Sequence, residues 1–267
     1  TYIPESEISR LNKSGSLIFE NPFFYPLLMT CKEVHAATKG AFDPTIGPLI
    51  NAYGFGPGKP LKYVSDKQRD SLLLLTGWSK TKLTPQHTIK KVHPEIYFDF
   101  NALAKGYAVD VLANYLKIYA LESYLVEIGG EIVAQGKSPR SGRFWKIAID
   151  DPQQSDQRNF IRIVTLKNQA LATSGNYRKF EFDEDTGLLI AHSINPKTGL
   201  AIPTKVLSAS VKAPDCMTAD AYATALMVMP LEKSQKLINS KPELEAYWIV
   251  SDSLKGVKEL FSKGFVN

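Results

Sequence analysis

The chain has 267 residues, 44% of them hydrophobic, enough to bury a sizeable core in one large domain or two small ones, which argues against a disordered chain. Lys and Arg outnumber Asp and Glu by 32 to 27, and the net charge of +5 favours anionic partners without the dense basic run of a nucleic-acid binder. Two cysteines, Cys31 and Cys216, and four scattered histidines argue against a disulfide scaffold, a four-thiolate metal site and a zinc or haem protein.

No apolar run approaches the ~20 residues needed to span a bilayer. The chain starts at Thr1 rather than a methionine, which is compatible with the removal of a signal peptide or lipid-anchored leader.

In chain order, residues 22–39 read as a helix, with Phe24, Leu27, Leu28, Cys31 and Val34 at helical spacing and Gly40 as a stop. An irregular, Gly- and Pro-rich connection over 40–49 leads into a second short helix. Residues 54–62 form a loop, Ser65 or Asp66 caps a helix running to about Leu75, and short strands fit 80–99. Residues 102–119 are a helix with Tyr107, Val111, Tyr115 and Leu116 on one side. The pattern then changes to strands at 123–128, 131–135, 145–149, 161–166, 169–173, 177–182 and 206–211, punctuated by Gly, Pro, Asn and Asp. Helices at 217–229 and 231–239 and strands at 245–251 and 257–261 complete an α+β reading: a mostly antiparallel sheet region packed with helices. With no internal repeat or linker, one domain over 1–267 is the expectation.

The residues 218–224 carry the most chemistry. A helix there places the Asp220 carboxylate and the Thr224 hydroxyl on one face, one turn apart, as a small hard-cation site suited to Mg2+ shared with water and substrate phosphates. The alternative is a chance i, i+4 pair. At 99–110 a strand ends and a helix begins, which offers free N–H groups and a positive dipole end to a phosphate, with the charge of Lys105 beside them; the alternative is an ordinary capped helix. His192 stands at a strand end before the Pro196 and Gly199 turn, with a pKa range suited to a general base, or as a satisfied turn residue. Gly129 and Gly130 between two strand patterns read as a hairpin turn. Thr173 and Ser174 can bond a phosphate or their own backbone. No Walker-type loop and no strand-linked G-x-G-x-x-G is present, which disfavours standard kinase and Rossmann readings.

Taken together and in order, residues 6–12, 40–43, 104–108, 127–130, 172–175, 192–199 and 218–224 resemble the FAD:protein FMN transferase (ApbE) family across nearly the whole chain. The resemblance implies an ApbE-like fold and an enzyme that uses FAD and Mg2+, transfers FMN by a phosphoester bond onto a Thr or Ser hydroxyl of a redox-pump-type acceptor protein, and releases AMP. Alternatives within the same site are a pyrophosphatase that splits FAD to FMN and AMP and a non-catalytic FAD-binding protein. Carried over residue by residue, the metal ligands are the Ala104 carbonyl, Asp220 and Thr224. The nucleotide contacts are Tyr2, Ala41, Phe42, Asp43, Asn101, Lys105 or Tyr107, and Ile194, and the catalytic histidine is His192. The sequence departs from the family pattern at Asn101, where Gly is frequent, and Asn195, where Asp is common. Nothing in it matches the usual opening strand with Met-Gly-Thr, so one N-terminal strand and helix are expected to be missing. The resemblance also implies export to the periplasmic side with a lipid anchor.

Overall fold

Local sequence signals set most of the elements in a computed structural model that describes residues 3–61, 63–152, 159–175, 180–182, 189–252 and 256–266. The chain divides into two units, Thr1–Asn101 with His192–Ile202, and Ala102–Ala191 with Pro203–Asn267.

In the first unit, α1 (Glu7–Asn12) starts where the Ser6 side chain accepts the Ser9 N–H. The apolar face of α2 (Phe24–Ala37) buries Leu27, Leu28, Cys31 and Val34, the spacing expected from the sequence. Pro48 sits in the first turn of α3 (Gly47–Ala52), where its missing N–H costs nothing. A capping box between Ser65 and Gln68 opens α4 (Asp66–Leu74). Three short strands, β1 (Ser16–Ile18), β2 (Thr81–Thr84) and β3 (Thr88–Lys91), form an antiparallel sheet in the order β1-β3-β2. Lys91 is buried, and its ammonium donates to the carbonyls of Leu11, Pro94 and Ile96 at 2.8, 2.6 and 2.8 Å. Burial pushes its pKa down to about 8.

The second unit contributes α5 (Ala104–Ile118), β4 (Tyr124–Ile128), β5 (Glu131–Gln135), β6 (Trp145–Asp150), β7 (Phe160–Leu166), β8 (Gln169–Gly175) and β9 (Phe180–Phe182). After them, β10 (Leu189–Ile194) and β11 (Ala201–Pro203) bracket a turn counted with the first unit, and β12 (Val206–Ala213), α6 (Cys216–Val228), α7 (Leu231–Asn239), β13 (Glu245–Asp252) and β14 (Gly256–Phe261) complete the second. The main sheet is antiparallel throughout, in the order β14-β13-β12-β8-β5-β4. Alternation assigns its two faces. Ile132, Leu171, Tyr247 and Ile249 face the ribbon β6-β7, where Ile147, Ile149, Val164 and Leu166 close one core. Ala170, Ala172, Ala209 and Val211 are fully buried on the opposite face, against which α6 lies. The architecture is therefore α+β with an antiparallel sheet between helices and a ribbon. Gly129 and Gly130 form the two-residue turn joining β4 to β5, both at positive φ (63° and 102°), which is the hairpin read from the sequence.

Candidate active site

The α6 sequence is apolar on almost every side and nearly all of it is buried, which leaves Asp220 as the one charged residue in the helix, 3% exposed. A carboxylate in such a place needs donors or a cation to remain charged. One donor is the N–H of Gly106 in the first turn of α5, 3.0 Å from Oδ2. The approach depends on glycine: a Cβ at Gly106 would lie 2.3 Å from the Cys216 carbonyl oxygen and 2.9 Å from the Asp220 Cβ. The exchange is reciprocal. Asp110 of α5 accepts the N–H groups of Cys216 and Met217 in the first turn of α6, at 2.8 and 2.7 Å. Each helix thus supplies a carboxylate to the other's start, and the Leu103 N-cap of α5 has no side-chain cap of its own.

Around Asp220 the charges are mixed. Glu131, at the first position of β5, is 1% exposed and forms an ion pair with the half-exposed Lys105. Burial first, and then the negative charge of Glu131, push the Asp220 pKa up to about 6; the Gly106 N–H and Lys105 pull the other way. Asp110 also rises to about 6, chiefly through burial, against the two N–H groups that favour its charge. One turn along α6 from Asp220, the Thr224 hydroxyl lies 3.2 Å from Ser174 Oγ on β8. Thr173, its neighbour, points to the other face and bonds Ser210 Oγ across the sheet at 2.7 Å. Neither hydroxyl is turned to its own backbone, one of the two uses open to them from sequence; both bond side chains of adjoining elements.

Among the described residues no group of three or more His, Cys, Asp and Glu side chains converges. Any cation held here therefore has to be completed by hydroxyl, carbonyl, water or substrate oxygens. That requirement fits a hard divalent ion such as Mg2+: the donors are all oxygens, and Asp220 is a buried carboxylate beside a second acidic group, where a cation would offset the cost of ionisation. Ala104, the first residue of α5, stands two positions before Gly106.

Of the other site residues expected from the sequence, Tyr107 follows Gly106 on α5 and the rest lie on other segments. Asp43, 7% exposed, holds the loop after α2: its Oδ1 accepts the Thr45 N–H and hydroxyl at 2.8 and 2.6 Å, and its Oδ2 accepts the Trp78 N–H at 3.0 Å. His35 reaches the same loop, with Nδ1 3.0 Å from the Phe42 carbonyl and 3.4 Å from Asp43 Oδ2. Phe42 is buried and Ala41 partly exposed. Asn101 is exposed, and both its backbone and side-chain N–H groups donate to Asp99, at 2.7 and 3.2 Å. Tyr107 is half-buried on α5, and Ile194 is buried at the end of β10. After it, the turn at 195–199 closes on Asn195: its Oδ1 accepts the Lys197 N–H at 2.9 Å and its carbonyl the Gly199 N–H at 2.8 Å. Gly199 has φ +66°, and a Cβ there would meet Arg69 Cγ at 2.7 Å. Tyr2 and the side chain of His192 lie outside the described residues, although the His192 backbone belongs to β10.

The arrangement thus brings together Lys105, Asp220 and Thr224 of the expected set, with Ala104 at the start of the same helix. The sequence reading gave two further members no role beside Asp220 and Thr224. Glu131 was visible only as the end of a hairpin turn, and Ser174 only as one of two loose hydroxyls.

Comparison with known proteins is consistent from end to end. A profile of the ApbE family matches residues 1–248. The chain is 38% identical to a FAD:protein FMN transferase of Vibrio cholerae over 99% of its own length and 78% of the relative's. The solved flavin transferase ApbE from Vibrio cholerae superposes with a TM-score of 0.86 at 34% identity, covering 99% of this chain and 83% of that one. The apo flavinyl transferase ApbE of Pseudomonas stutzeri superposes with a TM-score of 0.87 at 30% identity, covering 99% and 81%. Match, relatives and fold agree that this chain belongs to the ApbE family.

Proposed function

We propose that this chain is a Mg2+-dependent FAD:protein FMN transferase, which moves the FMN half of FAD onto a Thr or Ser hydroxyl of a redox-pump-type acceptor protein and releases AMP. The observation that carries the reading is the buried Asp220 set against the first turn of α5 with the Thr224 hydroxyl one turn away, in a chain whose relatives are named FAD:protein FMN transferases.

Asp220, Thr224 and the Ala104 carbonyl would hold Mg2+, which when bound supplies charge neutralisation at the FAD diphosphate and at the departing AMP. The remaining work belongs to the chain. The N–H groups of Ala104 and Lys105, which among the described residues have no side-chain cap, and the ammonium of Lys105, shared with Glu131, draw phosphate oxygens to the same place. The family resemblance assigns nucleotide contacts to Ala41, Phe42, Asp43, Asn101, Tyr107, Ile194 and Tyr2, and Asp43 fixes the loop that carries Ala41 and Phe42. The acceptor oxygen bonds to the FMN phosphorus as the bridging P–O bond breaks; the bridging oxygen leaves with AMP, and His192 receives the acceptor's proton. The same reading places the enzyme on the periplasmic side under a lipid anchor, which fractionation of cells expressing the full-length gene product tests. No helix among the described residues is long and apolar enough to cross a membrane.

The test is incubation with FAD, Mg2+ and a threonine-containing acceptor domain, followed by a denaturing gel imaged for flavin fluorescence. A fluorescent acceptor band with one AMP released per FMN attached is expected. Free FMN and AMP without a band would make the protein an FAD pyrophosphatase, and FAD left intact would make it a binding protein without turnover.

A further inference from the structure

Thr224 can offer its lone pairs to a cation only if its one proton points elsewhere. A helical threonine ordinarily sends that proton back to the carbonyl four residues earlier, here that of Asp220. Among the described residues Thr224 makes no such bond, and its hydroxyl is instead 3.2 Å from Ser174 Oγ. Among the described residues Ser174 has no other hydrogen-bond partner for its hydroxyl. It lies on the face of β8 packed against α6, its cross-strand partner is Ala209, which has no polar side-chain atom, and the next hydroxyl along the strand, Thr173, is committed to Ser210 on the opposite face.

We infer that Ser174 is a positioning residue that takes the Thr224 proton and so turns the Thr224 lone pairs towards the cation. The geometry makes the direction of the bond decisive. With Thr224 as donor, both of its lone pairs are free for a metal, and the proton of Ser174 turns away from Thr224. With Ser174 as donor, one Thr224 lone pair is consumed, and the proton of Thr224 needs another acceptor. Among the described residues only the first arrangement gives the Thr224 proton an acceptor while leaving both lone pairs on the α6 face that carries Asp220. The inference rests on the metal site proposed above, and the experiment separates the two.

Mn2+ serves as the probe in titration calorimetry on the full chain without FAD, so that affinity is read independently of turnover. Ser174→Ala is expected to weaken Mn2+ binding by about tenfold, the lower end for loss of a group that orients a ligand. Ser174→Thr, which keeps the hydroxyl, is expected to restore affinity to within about threefold of the wild type, taking factor-of-three context effects as the margin. Because Ser174 acts through Thr224, adding Ser174→Ala to a Thr224→Val chain should change Mn2+ affinity no further. Asp220→Ala is the reference for the site itself. If it abolishes Mn2+ binding while Ser174→Ala binds like the wild type, or while Ser174→Ala weakens binding equally with and without Thr224, the positioning role is overturned and the metal site stands. If Asp220→Ala binds Mn2+ as the wild type does, the metal site fails and the inference with it. Thermal unfolding of each variant accompanies the titrations, and Ser174→Thr supplies the second variant should Ser174→Ala unfold.

Discussion

Asp110 and Asp220 are two carboxylates exchanged between the same two helices, raised by burial to the same value of about 6, and they differ in what they have left to offer. Asp110 spends both oxygens on α6, one on the Cys216 N–H and one on the Met217 N–H. Asp220 gives Oδ2 to the Gly106 N–H, and among the described residues its other oxygen accepts no hydrogen bond. A saturated cap stabilises a helix and does nothing further. A half-used carboxylate, with an acidic neighbour in Glu131 and a hydroxyl one turn away, holds unspent negative charge where a phosphate-bearing substrate needs a cation.

The largest consequence of that difference is expected in activity. Asp220→Ala should lower Mg2+-dependent FMN transfer by more than ~100-fold, since even groups that only orient a ligand are worth about 10- to 100-fold. Titration calorimetry should show Mn2+ binding abolished in Asp220→Ala and unchanged in Asp110→Ala. Equal losses of metal binding in the two variants would erase the distinction between them.

Next comes the contact that lets both carboxylates reach their targets. Gly106→Ala puts a methyl group 2.3 Å from a backbone oxygen, so the two helix starts must move apart at a cost of roughly 1–3 kcal/mol. Denaturant unfolding should show the loss, and Mn2+ binding should weaken with it. Full stability in this variant would mean that the helix starts separate without strain.

A comparable stability effect separates the truncation of a helix cap from the neutralisation of a buried charge. Asp110→Ala removes the partner of two N–H groups and should destabilise the chain by about 1–2 kcal/mol. Asp220→Asn should instead stabilise the metal-free protein at neutral pH. As pH rises from 3.8, the unfolded chain releases the Asp220 proton first, while the folded chain keeps it until about pH 6. Stability due to this group is therefore full below 3.8, falls between 3.8 and about 6, and stays low above, a difference of up to about 3 kcal/mol. Unfolding free energies of wild type and Asp220→Asn, compared from pH 4 to 8 without metal, should diverge across that window and then run parallel. A constant gap would remove the titration from the account.

The same proton sets the smallest effect, the pH profile of binding. Metal and proton compete for Asp220, so Mn2+ affinity should be flat above about pH 6 and fall by about tenfold per unit below it. A profile unchanged down to pH 5 would place the metal on another group.

What the sequence revealed of this site depended on distance along the chain. The helices α5 and α6, the Gly129 and Gly130 hairpin and the Ser65 cap are local signals, and the structure contains each of them. Asp220 and Thr224 are likewise i, i+4 neighbours, so their shared face could be read directly. Shorter elements left no periodicity to read: α1 has six residues and β1 three. The partners that set the chemistry are remote. Gly106 meets Asp220 across 114 positions, Ser174 meets Thr224 across 50, and Lys105 meets Glu131 across 26. Only the sheet order places β8 and β5 where these contacts arise. One further signal was present in the composition of α6, a single charge in an otherwise uncharged and buried helix.

The decisive measurement is where a divalent cation sits. An anomalous-scattering map from crystals grown with Mn2+ is predicted to show a peak in direct contact, about 2.1 Å, with an Asp220 carboxylate oxygen and the Thr224 hydroxyl. A Mn2+ peak at any other residues, with Asp220 bonded only to the Gly106 N–H, would contradict it.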